Sequence, residues 1–169
     1  MAIVFPGGTQ AAPAKIVQVV NLTKTDAFRQ TTTSSWQDIS GYTASIAKLL
    51  SSSQVLVMMM VNLNHSDSYA KFGIRLTRNG TPIGVGTSVS NRIAATLGPH
   101  GAGHSGYGPH NYCINILDSP GSGTFTYALQ HVDFDGFGQW IDFNRGGDDS
   151  DNNSFCRTAS TITLMEVAS

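Results

Sequence analysis

Charge is the first thing this chain has little of. Only 12% of its 169 residues are Asp, Glu, Lys or Arg, about half the roughly 25% of an average soluble protein. Ten basic residues stand against eleven acidic ones, a net charge of −1. No basic stripe exists to displace counterions from a phosphate backbone, so no nucleic-acid partner is expected. Cysteine is scarce too. Cys113 and Cys156 are the only two, they fit no Cys-x-x-Cys or zinc spacing, and they read as free, half-buried thiols of a reducing compartment. A bridge between strands distant in sequence stays open. Long apolar runs are also missing: the longest, Val55 to Val61, has seven residues, where a membrane helix needs about 18. The opening MAIVFPGG has neither the positive region nor the apolar stretch of a signal peptide. The expectation is a chain made in the cytoplasm, with no membrane partner.

Helical periodicity is the last absence, since no window of eleven or more residues keeps apolar positions at i, i+3, i+4 and i+7. What remains is strand. Lys15 to Asn21 is β-branched, Trp36 to Ile46 alternates, and Gln54 to Asn64 is continuously apolar, as a fully buried central strand would be. Tyr69 to Arg78 sets Phe72, Ile74 and Leu76 on one face and Lys71, Arg75 and Thr77 on the other. Asn79-Gly80 is a type I′ hairpin signal, and the returning strand Thr81 to Val85 is held to an edge or an early strand position by Pro82. Further strands read at Asn111 to Leu117, Thr124 to Val132, Gln139 to Asn144 and Thr158 to Val167. Eight or nine strands with turn-rich connections predict an all-β fold, an antiparallel β-sandwich of jelly-roll type. A chain of 18.0 kDa buries about 69% of its unfolded surface, which allows one domain with its own core, spanning 15–169. Residues 1–14 read as an extended N-terminal arm, because Pro6-Gly7-Gly8 and Pro13 interrupt regular structure. The apolar tip Ile3, Val4 and Phe5 of such an arm either frays or anchors on another chain.

Three segments could carry chemistry. Gly98 to Tyr112 holds His100, His104 and His110 with Tyr107 among glycines. Zinc ligands need rigid supports, which glycine does not supply, so this reads as a loop meeting another subunit or partner, without metal. Asn144 to Asn153 clusters Asp148, Asp149 and Asp151, oxygen ligands of the calcium kind but without the EF-hand spacing. A solvated acidic turn and a cation contact are its two readings. Asp133 to Trp140 places Phe137 and Trp140 among turn residues, either folded over the sandwich end or offered to a sugar. The nucleophile elbow, the zinc-protease helix, and the phosphate and dinucleotide loops are all absent from the sequence. Asp133 and Asp135 are two residues apart on one strand, a poor arrangement for paired-carboxylate hydrolysis. No catalysis and no cofactor are expected.

Several strand and turn phrases carry a resemblance. KIVQVV at 15–20, TDAFRQTTTSS at 25–35, WQDISG at 36–41, VLVM at 55–58, IRLTRNG at 74–80, LDSP at 117–120 and ASTITLMEV at 159–167 together resemble small virion proteins of tailed phages. These occur in phages of aquatic bacteria, including cyanophages, and are classed as tail fibre, head fibre or capsid decoration. The resemblance spans about residues 15–168 and identifies family better than role. It implies a jelly-roll assembled as a homotrimer on the virion surface, with first and last strands pairing near one another. With a short arm and no shaft, the chain fits a cement or decoration protein bound to the major capsid protein. The alternative is a fibre tip recognising a host surface glycan.

Overall fold

The computed structural model describes residues 14–65, 71–98, 108–134 and 140–168. Ten strands run β1 (Lys15–Lys24), β2 (Phe28–Thr31), β3 (Gln37–Ala47), β4 (Gln54–His65), β5 (Phe72–Arg78), β6 (Thr81–Ile83), β7 (His110–Asp118), β8 (Thr124–Asp133), β9 (Trp140–Phe143) and β10 (Ser160–Ala168). All pairings between them are antiparallel. Sheet A joins β1, β10, β4 and β7, with β9 and β2 continuing it at one end. Sheet B runs β3-β8-β5-β6. Apart from the broken ribs β1–β2 and β9–β10 and the β5–β6 hairpin, successive strands pass from one sheet to the other, which is the jelly-roll way of keeping most edges paired.

Ten segments stand where eight or nine were expected, because β2 was not read as a strand; two ribs of sheet A are broken. Along β4, β9 occupies the places opposite Leu63 to His65 and β10 those opposite Gln54 to Met60. The two short strands therefore lie end to end as one rib. Beside it, β1 ends opposite Ser160 and β2 begins opposite Phe143, again one rib with a break. The polar run around Thr31 hid β2 from a reading based on apolar alternation.

The core follows from pleat alternation. β4 turns Val55, Val57, Met59, Val61 and Leu63 inward, β10 adds Ile162 and Leu164, and sheet B answers with Ile74, Leu76, Tyr127 and Leu129, all buried. Each such side chain contributes roughly 1.5–3 kcal/mol on leaving water. The expectation that β4 is buried on both faces is corrected here: Met58 is 38% exposed, because nothing among the described residues covers the outer side of sheet A at this point. Phe72, Ile74 and Leu76 face inward as the alternation predicts. Asn79 and Gly80 have φ of 49° and 80°, the left-handed pair that a type I′ turn requires. β1 and β10 pair along their length, as the resemblance implies. Both cysteines are free, and both are exposed where half-burial was expected. No helix is long and apolar enough to cross a membrane, among the described residues.

Candidate functional site

The break between β9 and β10 creates the most elaborate surface feature among the described residues. The chain leaves the rib after Asn144, makes a fifteen-residue excursion through 145–159, and rejoins it at Ser160. Asn144 holds both ends. Its φ of 56° is a left-handed turn that Asn tolerates better than most residues, and its side chain is fully buried. Its amide Nδ2 donates to the carbonyls of Lys24 and Asp26 at 3.0 Å each, and Oδ1 accepts from Ser160 Oγ at 2.6 Å. The Thr158 amide donates to its carbonyl at 3.0 Å. One residue thus also fastens the break between β1 and β2.

On the excursion and the strands beneath it, charges alternate in a chain. Arg29 on β2 grips the buried Asp142 of β9 with two bonds of 2.8 and 2.9 Å. Arg145 lies 3.3 Å from the same carboxylate and 3.2 Å from Asp149. Arg157 closes on Asp149 at 2.7 and 3.2 Å. These bonds hold the Asp149 carboxyl below its usual range, chiefly through Arg157. The bond to Asp142 raises the pKa of the Arg29 guanidinium. The fork geometry of arginine suits such paired contacts.

This arrangement bears on the acidic triad. Asp149 already carries two guanidinium partners, and the Asp148 carboxylate accepts a bond from Ser150. Among the described residues, no three His, Cys, Asp or Glu side chains gather as metal ligands. Asp151 lines an open depression with Asn152, Phe155 and Arg157. Trp140 is 38% exposed, and the Arg29 guanidinium lies 4.5 Å from its ring centre, so one aromatic face is covered by a cation. His110 opens β7 and is half-buried. The arm tip Ile3, Val4 and Phe5, the loop residues His100, His104 and Tyr107, and Phe137 lie outside the described residues.

Two polar sites escape motif-based reading. At the end of the sandwich where β4 and β8 finish, His65, His131 and Asp133 are all buried, and the His65 ring stacks on Phe72 at 5.0 Å. Among the described residues, neither ring nitrogen of His131 has a hydrogen-bond partner. Burial, helped by neighbouring His65 and opposed by Asp133, pushes His131 down to about 4. At the opposite end, the fully buried Glu166 of β10 faces the turn between β3 and β4. Its carboxylate accepts from the Leu50 amide at 2.8 Å, the Leu49 amide at 3.0 and 3.1 Å, Gln18 Nε2 at 2.5 Å and the Ser53 hydroxyl. Burial works to raise this carboxyl; the Leu49 amide, Ser53, Gln18 and the Leu50 amide outweigh it and hold it at about 2. The register shift between Ile16 and Gln18 is what brings Gln18 opposite Glu166.

The fold places the chain among antiparallel jelly-roll sandwiches. No protein-family model matches the sequence, and no curated protein matches it. Among solved structures, a chain of "Structure of infectious bursal disease virus Gx strain" is similar at 14% identity and a TM-score of 0.42, over 99% of this chain and 41% of that one.

Proposed function

We propose that this chain is a structural protein of a tailed-phage particle: a homotrimeric decoration or cement protein that binds the major capsid protein and stabilises the head. The observation that carries the reading is the division of polar groups in the jelly-roll. Its carboxylates at Asp142, Asp149 and Glu166 are bonded within the chain, while the part of one sheet face formed by β1, β10, β4 and β7 is left uncharged. A cement protein works by buried contact area and needs no reactive side chain. The resemblance of its strand and turn phrases to tailed-phage virion proteins supports the same reading, and the virion is then the place of action. A fibre tip is the second reading, supported by Trp140, which stays partly exposed beside Arg29.

Particles assembled without the protein test the first reading against the second. Cement predicts shells that assemble but break at lower temperature or under osmotic shock. Intact, heat-stable shells that fail to adsorb to cells would assign the chain to a fibre. Removing residues 2–14 is expected to leave the sandwich folded and to lower particle occupancy sharply, since burying Ile3, Val4 and Phe5 contributes roughly 1.5–3 kcal/mol each before ordering costs. Three arms on one trimer amplify that modest gain. Full occupancy of the truncated protein on particles, measured by cryo-electron microscopy, would remove the arm as an anchor.

A further inference from the structure

Across β1, β10, β4 and β7 the outer side of sheet A carries no charged residue along its paired rows; the charged row Arg29–Asp142 lies beyond them, where β2 and β9 continue the sheet. Register aligns Val19, Met165, Leu56 and Leu117 in one row across β1, β10, β4 and β7. Met58 and Met60 continue the apolar surface along β4. Val19 and Leu117 are each 53% exposed. The remaining outward positions hold Ile, Val, Asn, Thr, Gln and Cys. The outer side of sheet B differs, with Asp38, Gln130 and Arg75 bonded across it.

The edges of the sheets are protected unequally. β1 has a lysine at each end and a register shift near its start. β3 shifts register between Asp38 and Thr43, and β6 has three residues, one of them Pro82. These are devices that stop a sheet from recruiting another strand. β7, which borders the uncharged face, has none of them. It runs nine residues without Pro, Gly or Lys, in unbroken register with β4, and pairs with β4 alone among the described residues.

We propose that the outer face of sheet A, with the β7 edge beside it, is where copies of this chain meet, the occupant being a second copy. This rests on the homo-oligomeric reading above and names its surface. Four strands about 4.8 Å apart and nine residues of about 3.3 Å give a face of roughly 19 by 30 Å. Side-chain relief brings that projected area toward the ~800 Å² per partner of a standard interface. A partner chosen by charge finds no charge to read here. A second copy brings a sheet of the same twist and the same uncharged surface, so packing strips water from no ion.

The test is the mass of the purified full chain by light scattering across a concentration series. Wild type is expected at three times the 18.0 kDa of one chain. The double variant Met58→Lys, Leu117→Lys is expected at the single-chain mass, with association weakened roughly 100-fold or more and the far-ultraviolet dichroism unchanged. Thr43→Lys with Ser45→Lys, on exposed positions of sheet B, should leave the assembly intact. If the sheet A lysines disturb folding, Met58→Asn with Leu117→Asn takes their place, matching the Asn already present on that face. Assembly of the sheet A variants at wild-type mass would overturn the proposal, as would a wild-type monomer at every concentration. A chain that fails this test yet still decorates and stabilises particles leaves the cement reading standing, because that reading is judged on the particle.

Discussion

Glu166→Ala is expected to lower folding stability by about 2–4 kcal/mol, because it removes a fully buried carboxylate that ties four donors of one turn and one neighbouring strand together. The amides of Leu49 and Leu50 lose their acceptor, and the Ser53 hydroxyl and the Gln18 side chain each lose one of two, keeping the carbonyls of Leu50 and Ala47. The turn they hold carries the chain from sheet B into sheet A, so loosening it separates the layers at that end. Urea unfolding at neutral pH measures the loss; a change below about 1 kcal/mol would mean that water replaces the carboxylate easily. Glu166→Gln separates charge from shape. Folded Glu166 titrates at about 2 against 4.5 for an ordinary Glu, so its contribution is complete above pH 4.5 and is lost as pH falls toward 2, by roughly 3 kcal/mol. In the Gln variant that part of the acid limb should flatten.

His131 is expected to produce a separate acid step at higher pH. An ordinary His titrates at 6.5, and this one stays neutral in the fold down to about 4. Between those values the unfolded chain takes up a proton that the folded chain refuses, so stability falls as pH drops from 6.5 to 4, again by roughly 3 kcal/mol. His131→Leu should abolish this step. It should also stabilise the protein at pH 7 by about 1–2 kcal/mol, because two unpartnered ring nitrogens are removed from the core. Melting temperatures from pH 7 to pH 2 for wild type and both variants resolve the two windows. Superimposable profiles for wild type and His131→Leu would show that the ring is solvated or bonded in solution.

The fold was legible in the sequence to the extent that pleat alternation expresses it. Val55, Val57, Met59 and Val61 alternate with Leu56, Met58 and Met60, and an all-apolar run cannot show which half faces out; only the register of neighbouring strands decides that. β2 was hidden because Arg29 and Gln30 look like loop residues until Asp142 is placed across from them. The acidic run at 148–151 was visible, but its two guanidinium partners come from Arg145 and from Arg157, eight residues beyond Asp149. Glu166 and His131 were invisible as special residues. A single Glu in a β-branched strand carries no signal until the turn at Leu49 folds over it.

The excursion after Asn144 also sets what this molecule can carry. Its two ends are clasped within a hydrogen bond of each other by Asn144, Thr158 and Ser160, and residues 148–154 at its far side are exposed. Closing a longer loop between fixed ends adds only about 0.6 kcal/mol for each doubling of its length. Foreign sequence spliced between Ser150 and Asp151 is therefore felt weakly by the sandwich, and this loop can diversify, or be engineered to present a cargo peptide, while the ribs beneath it stay the same.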